Sequence, residues 1–300
     1  PDFAIRVHST ADIALVLKEA YEADVPVVPR AGGTGKAGGA IPVTGCFVLD
    51  TSKMKKILEI DTDNLVATAE CGVVTGDFHA AVEKEGLFYP PDPNSLETCC
   101  LGGNVAHNAG GPRAFKYGVT RNYIMGMDVV LMGGEVLSIG RNTVKSSAGY
   151  DLTGTMVGSE GTLAVFSRLK IALIHNPLHI VTALILFPDE TSAGKATAKI
   201  TSSGLRPRVL EFLDRELVKI IRLSGVDMVP EKTEALLLVE FDGENETVTE
   251  TELDRLAEIC EKEGASNVLT AKHGGDREKL WSARRVMSDA IKSRAKHKIS

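Results

Sequence analysis

The second half of the chain has the more regular alternation of apolar and polar positions. The apolar runs with the length of buried strands are 180–187, 209–213, 235–241 and 267–270. The segments with a helical repeat of apolar positions are 191–203, 214–224 and 246–263, and one more helix is predicted from Asp276. Because short links separate these alternating strands and helices, the pattern predicts an α+β or α/β module.

The first half has similar elements, but long glycine-rich or polar connections separate them. The predicted strands are 3–8, 25–28, 46–50, 65–71 and 162–172, with a hairpin of 127–132 and 135–139 across Gly133-Gly134. Helices are predicted after Ser9 and from Thr75 to Glu85, with Ser9 and Thr75 as N-caps. The stretches 101–123 and 143–161 are predicted to be loops.

Glycine is concentrated in the first half of the chain, and the change in its frequency indicates a domain boundary. Of the 29 glycines, 22 lie in residues 1–161. Each costs about 0.5–1 kcal/mol relative to alanine inside a regular element, so such a concentration indicates backbone held close to a ligand. Glycine becomes sparse near Asn176-Pro177, and we therefore predict a ligand-binding domain at 1–177 and a second domain at 178–300.

Charge and composition narrow the class of protein. A net charge of −6 with 5% aromatic residues argues against nucleic-acid binding. No apolar run approaches the roughly 18 residues of a membrane span. Five cysteines, an odd number without metal-type spacing, favour a reducing compartment. We expect a cytoplasmic protein, which its partners could hold at the inner face of a membrane.

The segment 29–39 contains the Gly33-x-Gly35-x-x-Gly38 spacing of a dinucleotide-binding motif. That motif requires a helix directly after it, whose N-terminus holds the pyrophosphate. Only residues 40–45 separate Gly39 from the next predicted strand, and Pro42 is among them, so no helix fits. The spacing therefore argues against a Rossmann NAD site.

A phosphate-binding P-loop is excluded in the same segment. Arg30 stands at the place of its first glycine, and Ala37 follows Gly35-Lys36 where serine or threonine is required. Two interpretations remain: a glycine nest whose backbone N–H groups bind an anion, and a flexible link between strands. Two further loops of small residues, at 101–111 and 158–163, favour the nest, because three such loops suit a large phosphate-bearing ligand wrapped by backbone.

Together and in this order, the motifs resemble those of the vanillyl-alcohol oxidase type of flavoprotein, also called PCMH-type FAD-binding proteins. Within that family they are most similar to the glycolate oxidase catalytic subunit and D-lactate dehydrogenase group. The matching segments are Val27–Arg30, Gly32–Gly35, Gly38-Gly39, Tyr89–Pro93, Gly102–Gly111, Lys116–Gly118 and Gly158–Leu163. The resemblance covers nearly the whole chain.

The resemblance implies an α+β fold with a two-subdomain PCMH-type FAD-binding domain at 1–177 and part of an α+β (ferredoxin-like) cap domain at 178–300. The N-terminal part of the first domain and the C-terminal part of the second are expected to be missing. The residues that the resemblance assigns to FAD binding are Arg30, Ala31, Gly32, Gly33, Thr34, Gly35, Gly38, Gly39, Pro91, Asp92, Gly102, Gly103, Asn108, Ala109, Gly110, Gly111, Tyr117, Gly118, Glu160, Gly161 and Leu163. Some relatives attach FAD covalently through a histidine in the first loop. Thr34 stands in that place, so non-covalent FAD is expected.

The resemblance also implies an activity: FAD-dependent oxidation of a small D-2-hydroxy acid, of the glycolate or D-lactate type, by hydride transfer to flavin N5. Electrons would then pass to a separate acceptor, such as an iron–sulfur or quinone-linked partner. The alternatives are a flavin oxidase of a sugar or alcohol and a flavin-binding subunit without turnover.

The last predicted helix carries a candidate for substrate binding. Arg284 lies in the same helical arc as Leu280 and Met287, and an arginine on an apolar face is rarely buried without a partner. Its setting, Trp281-x-x-Arg284, resembles the family's substrate-arginine position, and a planar guanidinium suits a carboxylate. The alternative is an arginine that reaches solvent at the edge of the domain.

The sequence assigns no catalytic acid–base residue. The His-x-Gly-Asp-Gly-Asn-x-His metal and catalytic motif of many relatives is absent, and His273–Asp276 is similar to it only superficially. No metal is expected here, and a divalent metal is compatible only with the missing C-terminal part. We interpret Cys99-Cys100 as packing residues, His79 as structural or surface-exposed, and His107 as a cofactor contact or a spacer.

Overall fold

A computed structural model of the chain describes residues 1, 3–225 and 228–281. The chain packs as two compact units. The first unit contains Pro1–Gly111 and Gly118–Asn176, and the second contains Pro112–Tyr117 and the residues from Pro177 onward. The second unit therefore includes a short segment taken from the middle of the first unit's sequence.

Two sheets and a short strand pair form the framework of the first unit. The parallel sheet contains β1 (Phe3–Arg6), β2 (Val27–Arg30) and β3 (Phe47–Asp50), in the order β1-β3-β2. The antiparallel sheet contains β4 (Ile57–Asp61), β5 (Val66–Glu70), β7 (Ile124–Val130), β8 (Val136–Gly140) and β9 (Val165–Ala172), in the order β4-β5-β9-β7-β8. The short strands β6 (Leu87–Phe88) and β10 (Ile174–His175) pair with each other.

The helices of the first unit are α1 (Thr10–Glu22), α2 (Thr75–Lys84), α3 (Leu101–His107) and α5 (Leu152–Met156). The predicted cap of α1 is confirmed, because the Ser9 hydroxyl accepts a hydrogen bond from the Asp12 N–H at 3.1 Å. The hairpin across Gly133-Gly134 is also confirmed, since β7 and β8 pair antiparallel with Met127 opposite Ile139.

Two stretches that the sequence predicts to be loops contain helices. Residues 101–123 include α3 and the short helix α4 (Ala114–Tyr117), and residues 143–161 include α5. Helix α3 forms despite its glycines because its first N–H groups find carbonyls at the end of β5. The Gly102 N–H donates to Cys71 at 2.8 Å, and such tertiary bonds are invisible to helix propensity.

The predicted N-cap of α2 is wrong. The cap position is Val74, which makes no side-chain hydrogen bond, and Thr75 is the first helical residue. The Thr75 hydroxyl is buried and donates to the Cys99 carbonyl at 3.2 Å. A buried hydroxyl needs a hydrogen-bond partner, so the Thr75 side chain bonds to the segment that leads into α3 and does not cap α2.

The second unit has the strand order of a ferredoxin-like fold. Its elements are β11 (His179–Phe187), α6 (Glu190–Ser202), β12 (Val209–Leu213), α7 (Arg215–Leu223), β13 (Ala235–Gly243), α8 (Glu246–Lys262) and β14 (Asn267–Ala271). The sheet order is β12-β13-β11-β14, with every pair antiparallel. A further helix occupies the described residues 274–281, close to the start predicted at Asp276.

Strand alternation places two different cores on the two faces of this sheet. On one face, Ile185 of β11 and Val239 of β13 join the buried residues of α6 and α8, and on the other Leu184 and Leu238 join those of α7. Both central strands are therefore apolar at successive positions, as the sequence pattern indicates. Among the described residues, no helix has the length and apolar character needed to cross a bilayer.

Candidate functional site

The structure brings the three glycine-rich loops of the first unit together. A Cβ atom added to Gly35 of the first loop would lie 2.8 Å from Nε2 of His107 in the second. A Cβ on Gly161 of the third loop would lie 2.8 Å from Cγ of Pro29, where the first loop begins. Glycine is needed at 161, where φ is 77° and the Pro29 ring leaves no space, whereas a side chain at 35 would displace the His107 ring. His107 therefore packs against the first loop.

Hydrogen bonds join the second and third loops. The N–H of Gly158 donates to the Val105 carbonyl at 2.9 Å, and that of Glu160 donates to the Ala106 carbonyl at 2.9 Å. Asn108 ends α3 in the left-handed conformation, with φ of 47°, and its side-chain oxygen accepts from the Arg121 N–H at 2.9 Å. Hydrogen bonds therefore hold the second loop both along α3 and at Asn108, where the helix ends.

Arg121 is a site residue that the sequence analysis missed. Its guanidinium donates to the carbonyls of Gly154 and Val157, which end α5 just before the third loop. Charged donors of this kind hold carbonyls that a helix end leaves unpaired. Because no motif surrounds Arg121, the sequence carries no signal for this role.

The segment that contains Pro91 and Asp92 lies against two of the loops. A Cβ on Gly111 would overlap the Asp92 carbonyl, and a Cβ on Gly32 would overlap the Thr98 carbonyl. The buried ring of His79 lies 2.9 Å from the Pro91 carbonyl through Nε2, which must carry the proton to donate there. The structural role predicted for His79 is confirmed, and a surface position is excluded.

The first loop has backbone donors that the protein itself does not use. In the part of the chain that the structure describes, no N–H of residues 33–39 donates to a backbone carbonyl. The Arg30 side chain lies over Gly33 and donates to the Ala40 carbonyl at 3.2 Å. These interactions within the loop stabilise its conformation. A run of free amides held in place is the arrangement that binds an anion.

Two further features provide a hydrogen-bonding group and space for a ligand. The Ser159 hydroxyl, in the third loop, is buried and has no hydrogen-bond partner among the described residues. A Cβ on Gly103 in α3 would meet no heavy atom within 4 Å. These loops therefore fit a large phosphate-bearing cofactor such as FAD. Ser159 is a second candidate that the sequence analysis missed.

The remaining predicted site residues lie in different places. The Thr34 hydroxyl accepts from the Ser95 hydroxyl at 3.4 Å, while Leu163 in the third loop is exposed. Tyr117 belongs to the second unit, where its hydroxyl donates to Asp242 at 2.7 Å. Arg284 lies outside the described residues.

The vicinal cysteines behave as packing residues in the structure. All five cysteines are buried and free, and Cys99 donates through its thiol to the Thr75 hydroxyl. Burial raises the pKa of Cys71 to about 12 and also raises the pKa of Cys100. A thiol with a raised pKa has little thiolate at neutral pH, and thiolate is the reactive form.

We expect the five cysteines of the folded protein to resist alkylation, because all five are buried out of reach of the reagent and burial also raises the pKa of Cys71, Cys100 and Cys260. Iodoacetamide at pH 8, followed by peptide mass spectrometry, should label all of them in denaturant and none without it within the same time. Rapid labelling of Cys99 or Cys100 in the folded protein would contradict the packing role.

Comparison with known proteins agrees with this architecture. The family described as the FAD binding domain matches residues 1–140, and the C-terminal domain of the FAD linked oxidases matches residues 176–299. The glycolate oxidase subunit GlcD of Bacillus subtilis (strain 168) is 40% identical over 291 residues, which are 97% of this chain and 62% of that protein. The D-lactate dehydrogenase of Archaeoglobus fulgidus is 35% identical over 289 residues, covering 96% of this chain and 63% of its own.

Solved structures share the fold at low sequence identity. An alkyldihydroxyacetonephosphate synthase superposes with a TM-score of 0.79 at 21% identity, over 97% of this chain and 55% of its own. p-Cresol methylhydroxylase with substrate bound gives a TM-score of 0.77 at 18% identity, over 96% of this chain and 60% of its own.

The chain belongs to the PCMH-type FAD-linked oxidases, and FAD is the cofactor of this class. The expected α+β architecture, an FAD-binding domain followed by a cap domain, is confirmed. The chain spans less than two thirds of the length of the curated relatives described above.

Proposed function

We propose that the protein containing this chain oxidises a small D-2-hydroxy acid, of the glycolate or D-lactate type, with FAD as the cofactor. The convergence of three loops around free backbone amides is the observation that carries the cofactor part of the proposal. The names of the relatives, glycolate oxidase subunit and D-lactate dehydrogenase, support the substrate class. The family assignments support a division into an FAD-binding domain at 1–177 and a substrate domain at 178–300.

In this proposal the residues of the first loop hold the pyrophosphate through backbone N–H groups, which lose no side-chain entropy on binding. The second loop and the Pro91-Asp92 segment line the flavin, and the third loop adds the buried Ser159 hydroxyl. Thr34 offers no histidine nitrogen to the cofactor, so FAD is held non-covalently. When bound, FAD supplies the electron-accepting ring, and this chain supplies binding, orientation and exclusion of water.

The substrate carboxylate is assigned to Arg284, because guanidinium binds carboxylate in a bidentate manner. Electrons leave the flavin to a separate acceptor, of the iron–sulfur or quinone-linked kind. We place the protein in the cytoplasm, at the inner face of the membrane where its partner requires it.

Titration of the purified protein with FAD tests the cofactor, and acid precipitation then tests the type of attachment. We expect the flavin to bind and to remain in the supernatant after precipitation, since no covalent link holds it. Flavin that stays in the pellet would contradict non-covalent binding, and the absence of any binding would contradict the cofactor assignment.

Anaerobic reduction of the full-length protein tests the substrate class. Glycolate, D-lactate or D-2-hydroxyglutarate should bleach the visible flavin band, and L-lactate is the matched control for stereochemistry. Bleaching by sugars or simple alcohols alone would favour a sugar or alcohol oxidase, and bleaching by none of these would favour a binding subunit without turnover.

A further inference from the structure

The second unit contains a buried cluster of charged side chains at one end of its sheet. Arg208 lies between two carboxylates, with Nε 3.1 Å from Oε1 of Glu240 and Nη1 3.2 Å from Oδ2 of Asp242. The exposed fractions of the three side chains are 4%, 6% and 0%. Removing charges from water is costly, so stability alone does not account for a charged cluster at this position.

Strand alternation explains how the cluster arises. Glu240 and Asp242 occupy alternate positions of β13, on the face that carries Leu236 and Leu238 in the apolar core. Glu240 pairs in register with Thr182 of β11, whose hydroxyl donates to its carboxylate at 2.6 Å. The same face therefore changes from apolar to charged within two residues along one strand.

Asp242 holds the short segment Pro112–Tyr117. The Lys116 ammonium donates to the Asp242 carboxylate and also to its backbone carbonyl at 3.1 Å, and the Tyr117 hydroxyl donates to the carboxylate at 2.7 Å. The carboxylate thus accepts hydrogen bonds from two side chains of this segment, and the Arg208 guanidinium adds a second positive charge beside it. Such charge-assisted bonds away from water are the strong ones.

The two ends of this segment are fixed in the first unit. Gly111 precedes the segment and ends the second glycine-rich loop, and a Cβ there would overlap the Asp92 carbonyl. Gly118 follows the segment with φ of 76°, and a Cβ there would overlap the Asn122 side-chain oxygen. Both ends therefore pack closely against residues of the first unit, and a displacement of the segment is transmitted through the chain to the loop that ends at Gly111.

We propose that Asp242 is a positioning residue for the second FAD-binding loop, acting through Lys116 and Tyr117 on the segment that continues from Gly111. The identity of the ligand rests on the proposed function. The positioning itself rests on the hydrogen bonds within the second unit and on the continuity of the chain. FAD affinity thereby depends on a carboxylate in the substrate domain.

FAD titration of an Asp242→Asn variant tests this proposal. The dissociation constant for FAD should rise about tenfold, within the range typical of coupling between sites, and the visible circular dichroism of the bound flavin should change. The matched control is Ile200→Ala, which opens a cavity in the apolar core on the opposite face of the same sheet. It should lower the stability of the second unit and leave the FAD dissociation constant unchanged.

A second variant covers the case in which Asp242→Asn does not fold. Lys116→Met leaves Asp242 paired with Arg208 and removes only the ammonium of the segment, so it should also weaken FAD binding and alter the flavin spectrum. Unchanged affinity and spectrum in the folded variants, beside a wild-type protein that binds FAD, would overturn the positioning role alone. A wild-type protein that binds no FAD would overturn the proposed function and this inference with it.

Discussion

Replacement of Gly103 by alanine should leave the fold intact and weaken FAD binding by about tenfold or more. The new Cβ would meet no protein atom within 4 Å, and the helical position favours alanine by about 0.8–1 kcal/mol. If the cofactor occupies the space beside Gly103, the methyl group intrudes on it, and overpacking of this kind costs about 1–3 kcal/mol. The apoprotein should therefore melt at the same or a slightly higher temperature, while flavin fluorescence titration reports a weaker complex.

Gly102 is the matched control in the same helix. A Cβ there would lie 2.7 Å from Cβ of Cys71 and 3.0 Å from its carbonyl oxygen, so alanine must push α3 away from β5. Gly102→Ala should lower the melting temperature of the apoprotein, which Gly103→Ala does not. Wild-type FAD affinity in Gly103→Ala would remove Gly103 from the cofactor site.

Replacement of Arg208 by methionine should destabilise the second unit by about 3–5 kcal/mol. The variant leaves Glu240 buried without its cation, while Asp242 keeps the Lys116 ammonium, and one uncompensated buried charge carries a cost of that size. Urea unfolding followed by tryptophan fluorescence measures the effect. The single tryptophan, Trp281, belongs to this unit and donates to Glu240 at 3.0 Å, so its signal reports the cluster directly.

The control for this prediction is Arg215→Met. Arg215 pairs with Glu234 at 2.7 Å on the surface, where the two side chains are 49% and 41% exposed, and such a pair contributes about 0–1 kcal/mol. A triple variant with Arg208→Met, Glu240→Gln and Asp242→Asn should recover part of the lost stability, because it removes the charges together. An Arg208→Met variant no less stable than Arg215→Met would show that the cluster tolerates a Glu240 carboxylate without its cation.

The three glycine-rich loops were predictable because their conformation depends on the local sequence. A backbone that must approach another chain segment or a ligand needs glycine, and the glycines of the three loops are visible without any structure. Arg121 and Ser159 were not predictable. Their roles depend on which carbonyls or buried spaces lie beside them, and those neighbours are distant in sequence.

The elements of the second unit were predictable for a related reason. Its central strands β11 and β13 are buried on both faces, and aspartate or asparagine precedes α6, α7 and α8. Asp189, Asp214 and Asn245 accept from the N–H three residues on, at 2.8, 2.9 and 3.0 Å. In contrast, α3 contains two glycines within a seven-residue helix and depends on carbonyls of other elements, so propensity predicts a loop there.

By itself, the sequence determined where the strands and helices of the second unit lie, where the loops need glycine, and which family those motifs resemble. Only the tertiary structure decided that Pro112–Tyr117 belongs to the second unit and that Asp242 holds it. Lys116 and Asp242 are 126 positions apart. The sequence around either residue does not indicate that the other is its partner. The physical reason is burial. A carboxylate removed from water needs hydrogen-bond donors from the protein, and the tertiary fold determines which donors lie beside it.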